Sequence, residues 1–200
     1  MRWLLPDPVA AGRLYVCIEA GALIRTTDGG RSWQDRVPGG PRDTHTLAAP
    51  RQAPGRLYAA AGDGYFESHD GGASWQRPDD GLQHHYCWGV AVDPADPETI
   101  VISAAYGPRQ AHDFRTAESA IYRRSAHGQW QQVHAGLPEP RGTTRSVLAA
   151  HDAEPRVVYA ANNHGLFRSA TAGESWERLE ISWPERYRRQ CVQALAVVAD

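Results

Sequence analysis

Side chains able to bind or catalyse are concentrated in a few short polar stretches of this 200-residue sequence. Residues 42–45, 83–88, 141–145 and 187–190 each contain arginine, histidine or aromatic side chains. Arginine, tyrosine and tryptophan provide large contact areas and directional hydrogen bonds, and they are enriched where binding energy is concentrated. We therefore predict a binding surface that includes His45, His84, His85, Tyr86, Trp88, Arg145, Tyr187, Arg188 and Arg189.

Two further stretches extend this predicted surface. Residues 106–119 (YGPRQAHDFRTAES) form a long polar segment, and Tyr106, Arg109 and His112 within it are candidates for a lid or contact arm. A tolerated surface insertion is the alternative interpretation, because long loops are either functional or dispensable. His164, in a short polar stretch of the last third of the chain, completes the predicted binding set.

Histidines in these stretches raise the question of a metal site. Imidazoles that converge are good ligands for divalent metals. His84 and His85, however, are adjacent, and neighbouring residues of a strand point to opposite faces. No fixed ligand spacing connects them with His45 or His164. We predict no metal and no cofactor.

Six carboxylates near the polar stretches are candidate catalytic groups. Glycosidases use two carboxylates on either side of the scissile bond, or, in sialidases, a tyrosine nucleophile with arginines. The acidic residues near the polar stretches are Glu19, Asp43, Asp63, Asp113, Glu118 and Glu185. No pair of them is distinguished by its spacing, so we predict no catalytic residue.

Composition and charge limit the partners. The net charge of −2 provides no electrostatic basis for nucleic-acid binding. The first apolar run, residues 3–5, ends at Pro6 and is too short for a signal peptide or a membrane span. We therefore expect no membrane contact and a cytoplasmic location. Cys17, Cys87 and Cys191 are widely spaced, which predicts reduced thiols.

A repeated motif identifies the elements that must position these residues. Its copies are TTDGGRSW (26–33), SHDGGASW (68–75), the shortened SAHGQW (125–130) and SATAGESW (169–176). His127 and Thr171 stand where the first two copies have Asp. The motif positions are Thr26, Asp28, Gly30, Trp33, Ser68, Asp70, Gly72, Trp75, Trp130, Ser169, Gly173 and Trp176. The four tryptophans follow one another at intervals of 42, 55 and 46 residues, which suits four-stranded units.

The motif has a structural explanation. Asp in a tight turn accepts backbone N–H bonds, Gly provides positive φ, and Trp is expected to cover the hairpin against the neighbouring strand. Short β-type runs precede each Trp, at residues 14–16, 57–59, 100–102 and 158–160. In the resulting topology the motif turns lie on one face, and the polar stretches lie together on the opposite face, around the axis.

The pattern resembles the BNR or Asp-box repeats of sialidases, xyloglucanase-like glycosidases, sortilin-type receptors and photosystem II assembly-factor propellers. The resemblance implies an all-β fold, a β-propeller of four-stranded antiparallel blades, with units near residues 1–40, 41–82, 83–138 and 139–182. The Arg-Ile-Pro sequence of sialidases is absent. We expect a non-catalytic binding or scaffold domain for a protein, peptide or glycan, with a glycoside hydrolase or a fragment of one as the alternative.

The end of the chain begins a unit that it does not complete. Residues 183–200 repeat the start of a unit, and residues 192–198 are predicted to form one extra strand. This strand either closes a ring of about four blades or belongs to a larger, incomplete ring. Because open sheet edges invite pairing, association of two copies is a further expectation.

Overall fold

A computed structural model describes residues 1–126 and 128–198 and contains four antiparallel sheets in chain order. The strands are β1 (Trp3–Pro6), β2 (Leu14–Ile18), β3 (Ala22–Thr26), β4 (Thr44–Ala48), β5 (Leu57–Ala61), β6 (Gly64–Ser68), β7 (Tyr86–Asp93), β8 (Asp96–Ala105), β9 (Ser119–Arg124), β10 (Gln131–Val133), β11 (Val147–Ala149), β12 (Val158–Asn162), β13 (Gly165–Ser169) and β14 (Glu177–Arg178). A short helix, α1 (Pro108–His112), lies in the insertion between β8 and β9, and a 3-10 helix spans Glu185–Arg189.

Each sheet is a meander in which successive strands pair, and the four sheets are consecutive blades of a β-propeller, as predicted. Blades 3 and 4 have four strands (β7–β10 and β11–β14). Blades 1 (β1–β3) and 2 (β4–β6) have three strands, and their outermost fourth strand is reduced to the bridges Arg25–Gln34 and Glu67–Gln76. Within the described residues, no helix has the length and apolarity needed to cross a membrane.

Apolar side chains fill the spaces between successive blades. Tyr15 and Cys17 of blade 1 pack with Leu57 and Phe66 of blade 2. Two similar clusters join blade 2 to blade 3 and blade 3 to blade 4. Burying such a side chain contributes about 1.5–3 kcal/mol, so these interfaces supply most of the driving force for stacking the blades. Burial also raises the pKa of the Cys17 thiol to about 12.

The Asp-containing turns have nearly the same hydrogen bonds in blades 1 and 2. The carboxylate of Asp28 accepts bonds from the Ser32 N–H (2.9 Å) and hydroxyl (2.6 Å), and Asp70 accepts the equivalent bonds from Ser74. In blade 4, Thr171 replaces the carboxylate and accepts the Ser175 N–H at 2.9 Å. His127, the residue near the Asp position in blade 3, lies outside the described residues.

The expected cover by a neighbouring strand is absent at Trp33. This side chain lies on its own turn, where Nε1 donates to the Gly30 carbonyl at 3.2 Å, but 43% of its surface is exposed. Trp130 and Trp176 are buried between their own blade and the preceding one, and Trp75 packs partly buried in the same way. Trp33 belongs to the first blade, so within the described residues no preceding blade is present to cover it.

The innermost strands surround an axial cavity of about 350 Å³. Its walls include Trp3 of β1, Leu47 of β4, Ala91 of β7 and Leu148 of β11. Residues 195–197 also line it, so the C-terminal segment lies where an additional inner strand was predicted, although it forms no strand ladder within the described residues. Blade 4 does not pack closely on blade 1 in the described chain, so the ring is incomplete. Ala199 and Asp200 lie outside the described residues.

Candidate functional site

Five of the residues predicted from sequence converge on the rim of the propeller. His45 lies at the start of β4, Tyr86 and Trp88 lie on β7, His112 ends α1, and Arg145 lies two residues before β11. The inner strands of all blades line the axis and begin at the same end of it. Side chains from their first residues therefore meet at that end, although they are far apart in the chain. We call these five residues the rim cluster.

Trp88 is the centre of the rim cluster and is 5% exposed. The His45 and His112 ring centroids lie 4.4 and 4.6 Å from its own. The guanidinium carbon of Arg145 lies 3.7 Å from the Trp88 ring centroid, and that of Arg2 lies 4.4 Å from it. Cations over an indole are attracted by the ring quadrupole, so the electron-rich ring stabilises two positive charges close together.

A chain of hydrogen bonds runs from Arg145 through His112 and Tyr86 to His45, with each group donating to the next. Nε of Arg145 donates to Nδ1 of His112 at 3.0 Å, so the proton of neutral His112 is on Nε2. That nitrogen lies 3.0 Å from the Tyr86 hydroxyl and donates to it. The hydroxyl is then free to donate to Nε2 of His45 at 3.5 Å. Nδ1 of His45 donates to the Cys87 carbonyl at 2.7 Å, so neutral His45 carries its proton on Nδ1.

Burial sets the protonation states. It lowers the pKa of His112 to about 4, with a further contribution from the charge of Arg145, and it lowers the pKa of His45. Burial also raises the pKa of Tyr86 to about 12 and lowers that of Arg145 to about 10. At neutral pH the two imidazoles and the phenol are therefore neutral, and Arg145 is the charged member of the rim cluster.

Arg145 is 2% exposed and binds the C-terminal segment. Its Nη1 donates to the Val192 carbonyl at 2.7 Å, and its Nη2 donates to the Gln193 side-chain amide at 3.4 Å. Within the described residues no carboxylate accepts a hydrogen bond from this guanidinium. A buried cation with neutral partners is costly, which makes Arg145 the group in the rim cluster best suited to hold an acceptor-rich ligand.

Two carboxylates border the rim cluster, and both are engaged. Oδ1 of Asp43 accepts the Ala20 N–H at 2.6 Å; its Oδ2 lies 3.4 Å from Nε2 of His45, which carries no proton in the neutral tautomer and donates no bond to it. Glu19 forms an ion pair with Arg2 at 3.2 Å. Within the described residues no group of three or more His, Cys, Asp or Glu is arranged to hold a metal ion.

The other predicted binding residues lie outside the rim cluster. His84 is buried, bonds to the Tyr122 hydroxyl at 2.6 Å and packs against the ring of the exposed Tyr106. His164 lies 3.1 Å from the Gly142 carbonyl, and Tyr187 packs against Trp183. The remaining four, His85, Arg109, Arg188 and Arg189, are exposed.

Arg2 and Gln193 contact the rim cluster but were missed in the sequence. For Arg2, the alignment of the repeated inner strands contains a signal. Leu4, Leu47 and Val90 occupy the same register position of their inner strands, paired with Val16, Ala59 and Ile102. Arg2, His45 and Trp88 stand two residues before them, so aligning the units would have placed Arg2 with the other two.

No family model matches this sequence, and no curated protein matches it. Solved structures do match. An ancestral GH74 enzyme superposes with a TM-score of 0.70 at 18% identity, covering 89% of this chain and 24% of that chain. The GH74 xyloglucanase from Xanthomonas campestris gives 0.65 at 19% identity, covering 88% and 30%. YCF48 bound to D1 peptide gives 0.56 at 17% identity, covering 87% and 53%.

These similarities establish the fold as a β-propeller. The chain spans about a quarter of the ancestral enzyme and about half of the YCF48 chain. Proteins with this fold include enzymes and binding proteins, since a shared scaffold carries different sites. The fold alone therefore does not distinguish an enzyme from a binding protein, and the difference lies in the side chains of the rim cluster.

Proposed function

We propose that this chain is a non-catalytic binding propeller whose rim cluster holds an extended peptide segment of a partner protein. The observation that carries the proposal is the pair of bonds from Arg145 to the Val192 carbonyl and the Gln193 amide. The buried cation of the rim thus already binds main-chain and side-chain acceptors of a polypeptide. The segment that follows alternates in exposure, with Leu195 and Val197 more buried than Ala196 and Val198, which is typical of an extended chain.

The chemistry of the rim cluster supports binding over catalysis. Its imidazoles are neutral, and each has its tautomer fixed by a neighbour, so the cluster presents rigid donors and aromatic surface. Rigid aromatic and arginine groups are the anchors of protein interfaces. YCF48, a protein of similar fold, has been solved with a bound peptide, which adds support for a peptide partner.

Peptide selection tests the proposal. A display library of random heptapeptides is selected on the wild-type chain, and a labelled peptide of the enriched sequence is titrated by fluorescence anisotropy. We expect Arg145→Gln to weaken binding at least about tenfold, the effect of losing a charge-assisted hydrogen bond. The control Arg31→Gln, at an exposed arginine of the Asp-containing turn of blade 1, should leave the affinity unchanged. Failure to enrich any peptide would contradict the proposal.

A second candidate is a glycoside hydrolase or a fragment of one. It rests on the structural similarity to GH74 enzymes and on the two carboxylates, Asp43 and Glu19, beside the rim cluster. The assay is release of reducing sugar from xyloglucan and of chromophore from aryl glycosides. If turnover is observed and is abolished by Asp43→Asn or Glu19→Gln, the binding proposal is wrong and the chain is a glycosidase.

The cytoplasmic location of the chain stays a prediction.

A further inference from the structure

The outward face of blade 1 has the composition of a buried blade interface but is not covered. Leu4, Val16 and Ile24 form one cross-strand row on this face. The equivalent rows in the later blades are Leu47–Ala59–Phe66 and Leu148–Ala160–Phe167, and all six of these residues are at most 3% exposed. Leu4, in contrast, is 50% exposed, and Trp33 at the edge of the same blade is 43% exposed. We call this surface the head face.

The inter-blade interfaces of the chain show what covers such a row. Two side chains that are cross-strand partners in the preceding blade cover the row and donate hydrogen bonds to the Asp-containing turn of the blade that follows. Tyr15 and Arg25 are such a pair, and both donate to the Gly71 carbonyl, at 3.5 and 2.6 Å. Between blades 3 and 4, Arg123 donates to the equivalent Ala172 carbonyl at 2.9 Å.

Blade 4 presents the same pair at the other end of the chain. Tyr159 and Arg168 are cross-strand partners in the register of Tyr15 and Arg25. In the described residues both have partners only within blade 4, with the Tyr159 hydroxyl on Glu154 and Arg168 on Glu177. We call this surface the tail face. The acceptor equivalent to Gly71 is the carbonyl of Gly29, to which no described side chain donates.

We propose that the head face of one chain docks onto the tail face of a second copy of this chain. Arg168 then donates to the partner's Gly29 carbonyl, and the Leu4–Val16–Ile24 row is buried. The charges are complementary, because the turn that Arg168 approaches carries the ionised carboxylate of Asp28, whose hydrogen bonds lower its pKa to about 2. The contact continues the blade stack, since each new junction repeats one already present in the chain, and β1 of the second copy takes the place of residues 195–197 beside blade 4.

Head-to-tail contact predicts a defined assembly. When the head face of each copy docks onto the tail face of the other, the two copies form a closed ring of eight blades. Propellers contain roughly four to eight blades. The same interface then occurs twice, and neither open blade is left exposed.

Light scattering coupled to size exclusion tests this between about 1 μM and about 1 mM, the range in which interfaces of modest affinity dissociate. We expect the wild-type mass to rise with concentration from 22.0 kDa to twice that value. Leu4→Glu on the head face and Arg168→Glu on the tail face should each raise the dissociation constant at least about 100-fold, because a charge is left in an apolar or like-charged junction. The matched controls are Phe114→Glu, at a residue 37% exposed in the insertion of blade 3, and Arg115→Glu beside it, and both should behave as wild type.

Mixing the two interface variants identifies the mode of contact. Leu4→Glu retains an intact tail and Arg168→Glu an intact head, so an equimolar mixture should form heterodimers through the one remaining junction. This outcome also demonstrates that both variants are folded. A wild-type chain that is monomeric at every concentration would overturn the proposal. So would loss of association in Leu4→Glu with none in Arg168→Glu, since that result indicates head-to-head contact.

Discussion

The guanidinium carbon of Arg145 lies 3.7 Å from the centroid of the Trp88 ring, and both side chains are buried near the starts of different inner strands. The position over the indole leaves the N–H groups of the guanidinium available for hydrogen bonds. Arg145 uses these groups for His112, Val192 and Gln193, so one side chain joins the rim cluster to the C-terminal segment.

Arg145→Lys should therefore release the C-terminal segment although the charge is retained. Lysine cannot stack and donate in several fixed directions at once, so we expect a loss of about 1–3 kcal/mol of unfolding free energy. Limited trypsin digestion should cleave faster at Arg188 and Arg189. Arg115→Lys, at an exposed site, is the control. Equal cleavage rates in the two variants would mean that Arg145 does not hold the segment.

Unfolding free energy should fall as the pH drops from about 6.5 to about 4. Burial lowers the pKa of His112 from its usual 6.5 to about 4 in the folded state, so in this window the unfolded chain binds more protons. The contribution is fully present above pH 6.5 and is lost as the pH approaches 4. It amounts to roughly 1–3 kcal/mol after allowance for solvent screening at a half-buried group.

Urea denaturation at several pH values measures this slope. His112→Gln should flatten it, and His85→Gln, at an exposed histidine, should not. An unchanged slope in His112→Gln would assign the dependence to other groups, of which His45 is the first candidate because burial lowers its pKa as well.

Gly136→Ala should be among the most destabilising substitutions in the chain. Gly136 has a φ of 78°, and an added Cβ would overlap the Trp176 carbonyl at the next Asp-box-type turn. We expect a loss of at least about 3 kcal/mol, from left-handed backbone strain together with overpacking. Gly142→Ala is the matched control, because its φ is 87° but nothing lies within 4 Å of the new Cβ. Its cost should be about 1–2 kcal/mol. Similar melting temperatures for the two variants would contradict the assigned clash.

The buried ion pair between Glu67 and Arg124 joins blades 2 and 3. The two groups lie 2.5 Å apart and are 5% and 4% exposed. Glu67→Ala should cost about 3–5 kcal/mol because it leaves an unpaired buried guanidinium, whereas Glu67→Met with Arg124→Leu should be much closer to wild type. Chemical denaturation of Glu67→Met, of Arg124→Leu and of the variant with both substitutions measures the coupling. Additive losses would indicate that the charges do not depend on each other.

Part of the candidate site was predictable from the sequence. His45, Tyr86, Trp88, His112 and Arg145 were all in the predicted binding set, because polar stretches between strands lie at one rim of a propeller. His85, Arg188 and Arg189 fitted the same pattern but lie exposed and outside the rim cluster. Residue type and loop position do not say which side chain turns inward.

The sequence by itself determined the blades, because the Asp-containing turns at Trp33 and Trp75 and the strand runs before them depend on local hydrogen bonds and alternation. Only the tertiary structure decided which residues meet at Trp88. Arg2, His112, Arg145 and Gln193 come from separate parts of the chain, and their contacts depend on how the blades stack. Their protonation states likewise follow from burial, which is a property of the assembled blades rather than of any single repeat.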